Sequence, residues 1–136
     1  MARWFRVRRA WERKDWARMV ELLETPVRQT QNTEGDRVIL AHAYTKQGRL
    51  EQASWYFESI TEDEPLSKDE RIAYCNSYAY VLARAGRLDD AKAHVRRFDR
   101  RRWPKAERKW AEALLEASSA PSAPPEKGDP SKRRLH

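Results

Sequence analysis

Gly48-Arg49-Leu50-Glu51-Gln52-Ala53 is answered later in the chain by Gly86-Arg87-Leu88-Asp89-Asp90-Ala91. Each phrase closes one apolar-periodic run and opens another. A glycine at such a corner takes positive φ without a Cβ penalty, as a tight helix–turn–helix junction requires. The alanine that ends each phrase suits a close helix–helix approach. Internal repetition of this kind predicts stacked helical hairpins, each too thin to bury its apolar face alone.

Helical patterns run outward from both corners. Trp16, Met19, Val20 and Leu23 share a face behind Asp15, a candidate cap, and Thr25-Pro26 is expected to end that helix. Residues 26–33 read as a polar connector. A helix is predicted from about 34 to 47, with Val38, Ile39, Leu40, Ala43 and Tyr44 as its apolar set, and a second from about 50 to 61. Ser67-Lys68-Asp69-Glu70 reads as a capping box that opens a helix running to Ala85. Leu88 to about Arg101 is its expected partner, and a last helix follows Trp103-Pro104 over about 105–117. The prediction is an all-α domain over 1–117. Residues 118–136 are rich in Pro and Ser, hold no large aliphatic residue before Leu135, and read as a disordered tail with a basic end.

The 136 residues carry 36% charged side chains, and mean hydropathy is −1.00. Much of the bulky apolar content is aromatic, with six Trp, five Tyr and three Phe. Such a chain can bury a thin core between helix layers. No run of 18 apolar residues occurs, so no membrane span is expected, and the Arg-rich start lacks the apolar stretch of a secretory signal. The single Cys75 allows no internal disulfide and fits a reducing, cytoplasmic setting. Net charge is +7, unevenly spread. Residues 1–20 carry +5, 21–91 carry −5, 92–109 carry +7, and the remainder is neutral. An acidic middle thus lies between two positive stretches, and such local fields govern attraction.

The pattern resembles the tetratricopeptide repeat, a 34-residue helix pair. In residues 34–67 the resemblance is carried by Leu40, Ala41, Tyr44, Gly48, Leu50, Ala53, Phe57 and Pro65. In residues 72–105 it is carried by Tyr78, Ala79, Leu82, Gly86, Leu88 and Ala91, with Val95 in place of an aromatic and Pro104 one place late. A degenerate first copy has Val7, Trp16, Met19 and Leu23 at the matching places, and Lys14 where glycine belongs. The resemblance implies a short right-handed superhelix of about three repeats with a capping helix. Related pentatricopeptide, RNA-reading repeats have a longer period than this spacing.

Proteins of this kind bind peptides or partner helices in a concave groove. The resemblance carries groove positions onto Trp4, Arg8, Trp11 and Glu12, then Val38, His42, Thr45 and Lys46, then Asn76, Tyr80, Ala83 and Arg84. Aromatic faces there would seat apolar side chains, and cations would fork onto carboxylates. The expected partner is therefore a protein, with an acidic segment or C-terminal carboxylate as its favoured ligand. Of a terminal-carboxylate clamp, only Lys46, Asn76 and Arg84 stand at suitable places.

A second reading competes. Arg96 and Arg100, and Arg97 and Arg101, are spaced to share one helix side, and Arg102, Lys105, Arg108 and Lys109 continue the run. This surface is a solvated face, or it holds nucleic acid or an anionic membrane, with residues 1–18 assisting, or it contacts an acidic partner protein. Trp4 and Trp11 beside Arg6, Arg8 and Arg9 also fit an interfacial helix. Enzymatic function is not expected, since no Gly-rich phosphate loop, nucleophile–base pairing or metal spacing stands out. No cofactor or metal is implied, His94 and His136 lacking partners at ligand spacing. The end faces of a short solenoid would suit a homodimer.

Overall fold

The computed structural model of the chain describes residues 2–29 and 32–125, with side chains from Trp4 onward. All regular secondary structure in these residues is helical, with no strand among them. In order come α1 (Ala2–Glu12), α2 (Trp16–Arg28), α3 (Glu34–Lys46), α4 (Leu50–Glu58), α5 (Lys68–Arg84), α6 (Leu88–Arg96) and α7 (Lys105–Glu116). Two compact units divide within α5, the first ending at Tyr74 and the second beginning at Cys75. Among the described residues, no helix is long and apolar enough to cross a membrane.

Three corners use one hydrogen-bond pattern. After α3, the Gly48 N–H donates to the Thr45 carbonyl at 3.0 Å and the Arg49 N–H to that of Tyr44 at 2.9 Å. After α5, Gly86 donates to Ala83 at 3.1 Å and Arg87 to Leu82 at 2.9 Å. After α1, Lys14 donates to Trp11 at 3.0 Å and Asp15 to Ala10 at 2.9 Å. These are Schellman closures, which need a left-handed residue just past the helix end. Gly48 and Gly86 supply it at φ +76° and +81°, and Lys14 adopts it at φ +56° despite its side chain. The Lys14 ammonium lies 5.7 Å from the Trp11 ring centre and 5.9 Å from that of Trp16. Cation–π attraction of about 0.5–1 kcal/mol per contact offsets much of the strain.

In the first unit, α3 packs against both α2 and α4, and α1 packs on α2. That central position explains why α3 is buried nearly all round, at Val38, Leu40, Ala41, Ala43 and Tyr44. Ala41 and Ala53 are fully buried, so small side chains occur where backbones approach. The Tyr44 hydroxyl donates to the Glu24 carboxylate, and its ring stacks on Tyr56 at 5.9 Å. Burial and the neighbouring Glu24 charge both push the Tyr44 phenol up.

The expected stop at Thr25-Pro26 is corrected: α2 runs through Pro26 to Arg28. Proline removes one N–H, but here it falls in the final turn, where little helix remains to disrupt. Buried Val27 anchors that turn, and its carbonyl accepts from Asn32 Nδ2 at 3.2 Å. The expected connector of 26–33 therefore begins only at Gln29. Thr33 then caps α3 by a reciprocal box with Asp36, both bonds measuring 3.1 Å.

Glu34, in the first turn of α3, organises the next connector. Its side chain is 3% exposed. The carboxylate accepts from the backbone N–H groups of Thr61, Glu62 and Glu64 and from the Thr61 hydroxyl. The Glu34 N–H returns a bond to the Glu64 carboxylate at 3.1 Å. Glu62 takes φ +64° to bring these amides together. From there the chain reaches Ser67, whose hydroxyl accepts from the Glu70 N–H at 3.2 Å while Glu70 accepts from the Ser67 N–H at 2.8 Å. The Glu70 carboxylate lies over Gly35, where a Cβ would stand only 2.5–2.7 Å from its atoms.

The second unit has its core at Val81, Leu82, Ala91, Val95, Trp110, Ala111 and Leu114. A ring series runs from Tyr78 to His94 to Phe98, at 5.0 Å each, and on to Trp103 at 6.2 Å. This series accounts for a second correction. α6 ends at Arg96 instead of near Arg101, because turning the chain at Phe98 puts its ring between His94 and Trp103. Residues 118–125 form no helix but are placed, with Pro124 buried and the Trp110 indole N–H donating to the Ser122 carbonyl at 2.9 Å. A buried indole needs such an acceptor. The rest of the expected tail, 126–136, lies outside the described residues.

Two outcomes are expected. Neither Gly48 nor Gly86 has an atom within 4 Å of a built Cβ. Gly48→Ala and Gly86→Ala should therefore each cost about 1 kcal/mol of backbone strain alone. Lys14→Gly should be nearly neutral, relief of strain cancelling lost cation–π contact. Urea unfolding midpoints measure all three. For Glu34, burial raises the carboxyl, but the three backbone donors and Thr61 outweigh it and hold it at about 2, against an ordinary 4.5. A depressed acid stabilises the fold above its unfolded pKa and loses that contribution as pH falls from about 4.5 towards 2. Wild type should lose stability across this window more steeply than Glu34→Gln, and parallel pH–stability curves would refute the assignment.

Candidate functional site

α1 places Trp4, Arg8 and Trp11 along one side by their three- and four-residue spacing, with Glu12 beside them. These four line a pocket of about 370 Å³ that lies wholly in the first unit. Val7, Leu23 and Ile39 give it apolar surface. Asp36 of α3 and Ser67, Asp69 and Glu70 at the start of α5 complete it. Trp4 is 64% exposed, an unusual state for so large an apolar ring. The Arg8 guanidinium lies 5.5 Å from the Trp4 ring centre, and its Nε donates to the Glu12 carboxylate at 3.3 Å. The carboxylates of Asp36 and Glu70 serve in the two capping boxes, so backbone geometry fixes their place.

The other expected groove residues are dispersed. His42 is buried, its ring tilted by 32° against Trp11 at 5.0 Å and meeting Trp16 edge-on at 5.3 Å. It is thus a packing residue under the Trp11 ring, not a groove wall. Val38 and Thr45 are buried too, the Thr45 hydroxyl donating to the Ala41 carbonyl at 2.8 Å. Lys46 is half-buried at the end of α3. In the second unit Asn76 is also buried, its Nδ2 donating to the Glu107 carbonyl at 3.1 Å. That bond ties α5 to α7 and withdraws Asn76 from ligand contact. Ala83 is buried, Tyr80 half-buried and Arg84 exposed. Asp36, Ile39, Asp69 and Glu70 were not anticipated as lining. The capping motifs put acids at those helix starts, but only the fold brings the starts to α1.

The basic run is heterogeneous. Because α6 ends early, Arg100 and Arg101 do not continue a helix side from Arg96 and Arg97. Arg100 is half-buried, and its Nη1 donates to the carbonyls of Val95 at 2.9 Å and Phe98 at 3.0 Å. It satisfies acceptors left open at the helix end. Arg101 forks onto Asp99 at 3.0 and 2.8 Å, which drives the Asp99 carboxyl far below its ordinary range. Arg97 lies against the Phe98 ring and His94, and Arg108 pairs with Glu112 at 3.5 Å. Arg96, Arg102, Lys105 and Lys109 remain exposed and make no ion pair among the described residues.

Cys75 is buried, and loss of solvent pushes its thiol up to about 12, so it stays protonated. Among the described residues, no three His, Cys, Asp or Glu side chains converge as a metal site would require. The chain matches no family model, no curated protein and no solved structure.

The arginines should separate by role. Arg100→Ala should cost about 1–2 kcal/mol, since charge-assisted bonds to two carbonyls are lost. Arg102→Ala should leave the urea midpoint unchanged. Equal effects would mean that Arg100 does not cap α6.

Proposed function

We propose that the chain is a non-catalytic protein-interaction module that seats a peptide or helix of a partner in the pocket beside α1. The observation that carries this reading is the exposed Trp4 ring at a 370 Å³ concavity, with apolar lining and charged groups placed by helix caps. An aromatic anchor of this kind, unsatisfied by its own unit, is what a partner side chain can cover. The three Schellman corners add support, since Lys14, Gly48 and Gly86 fall 34 and 38 residues apart. On that ground we propose a tetratricopeptide-like array, with the short right-handed superhelix that the resemblance implies, in the cytoplasmic setting that the single Cys75 fits.

Of the competing basic surface, four exposed cations keep a claim on phosphate. Arg100, Arg101 and Arg108 are already engaged within the chain. Nucleic-acid or membrane attachment through 92–109 is therefore the second choice.

Affinity capture from a source lysate, split into nuclease-treated and untreated halves, tests the choice. A defined protein should be retained in both halves and lost from Trp4→Ala. If retention vanishes with nuclease, or Trp4→Ala retains the same protein undiminished, the pocket is not the partner site.

A further inference from the structure

The charges around the pocket are one-sided. Glu12, Asp36, Asp69 and Glu70 line it, against the single cation Arg8. The starts of α3 and α5 carry positive dipole ends, each equivalent to about half a charge. Subtracting Arg8 and both dipole ends still leaves about two negative charges facing the space. At physiological salt such a field acts over about 8 Å, enough to sort ligands that enter. The Asp69 side chain is exposed and makes no hydrogen bond or ion pair among the described residues. A carboxylate can accept several donors, so the cap at Glu70 does not exhaust it.

Arg8 shows what chemistry the place favours. Its guanidinium is held between an indole face and a carboxylate, 5.5 Å from the Trp4 centre and 3.3 Å from Glu12. Both side chains of that pair are more than 60% exposed, so solvent and a competing cation can reach them. A visiting arginine or lysine would find a second indole at Trp11 and further acceptors at Asp69 and Glu70. An incoming carboxylate would meet one partner and four repulsive neighbours.

We infer that the pocket binds a basic segment of a partner protein, taking an arginine or lysine side chain against Trp4 and the carboxylates, with Arg8 as an internal occupant that it displaces. The inference rests on the pocket being the partner site. Its sign is opposite to that of an acidic ligand gripped by Arg8, so one variant separates the two.

The test is fluorescence anisotropy of the full chain with a labelled peptide of alternating leucine and arginine, and with its counterpart carrying glutamate for every arginine. The arginine peptide should bind and the glutamate peptide should not. Arg8→Ala should tighten arginine-peptide binding about threefold by releasing Glu12 and the Trp4 face. Glu12→Gln with Asp69→Asn should weaken it about fivefold, and Trp4→Ala about threefold. Asp89→Asn, an exposed acid at the start of α6, is the control for general attraction and should change nothing. Trp4, Arg8, Glu12 and Asp69 are all exposed, and circular dichroism verifies that each variant is folded. If the glutamate peptide binds better and Arg8→Ala weakens it, the charge inference is overturned while the pocket stands. If neither peptide responds to Trp4→Ala, or Asp89→Asn weakens the arginine peptide as much as the paired variant, the inference fails. In the first of those cases the pocket reading fails with it.

Discussion

The Glu34 carboxylate occupies the place where three backbone amides of the next connector converge. Its burial would be costly for an isolated charge, because desolvation opposes the ionised form. Here the amides of Thr61, Glu62 and Glu64 supply what water would have supplied. The consequence reaches well beyond the bond itself. With 61–64 held to the start of α3, the chain can only approach Ser67 from beside that helix. The capping box at Ser67 then sets the axis of α5, and Glu70 settles over Gly35. The wall of the pocket formed by Asp69 and Glu70 thus depends on a carboxylate that does not itself line the pocket.

The corners impose a different kind of constraint. Each closes its hairpin by local hydrogen bonds, at a cost set only by the residue in the left-handed position. Glycine makes that cost small at two corners. At the third, Lys14 accepts it and lies against Trp11 and Trp16, the rings that enclose His42. A strained residue is therefore part of the packing that positions α1, and α1 carries the exposed aromatic face.

What could be read from the chain was what local rules govern. Both glycine corners, the box from Ser67 to Glu70, and the helices around Tyr44 and Phe57 follow from periodicity and capping. Pro26 misled because its effect depends on how much helix follows it, which Val27 decides through burial. The end of α6 misled because Phe98 is claimed by His94 and Trp103, contacts from residues on either side of it. His42 and Asn76 look like exposed polar residues in a helix, and their burial rests on Trp11 and on α7. Glu34 gave no signal, since its partners lie 27 to 30 residues away and are backbone atoms. The pocket was half readable. Its α1 side was implied by the repeat resemblance, with spacing placing Trp4 and Trp11 on one face, while the acidic side needed three helices to be assembled.

Charge completes the argument. The acidic middle of the sequence is not spread evenly over solvent. Part of it is drawn to helix starts, where dipoles stabilise it, and two of those starts face the aromatic side of α1. The basic stretch after residue 91 follows the opposite rule, with Arg100 at a helix end and Arg101 turned onto Asp99. Helix polarity thus sorts acids towards the concavity and spends basic groups on internal acceptors. That sorting needs no selection for ligand binding, since caps alone account for Asp36 and Glu70. Asp69, in the first turn of α5, is favoured by the same dipole rule, whereas Trp4 leaves most of its ring uncovered by its own unit. The exposed Trp4 ring at that concavity is what capping and dipole rules leave unexplained, and binding is the use we propose for it.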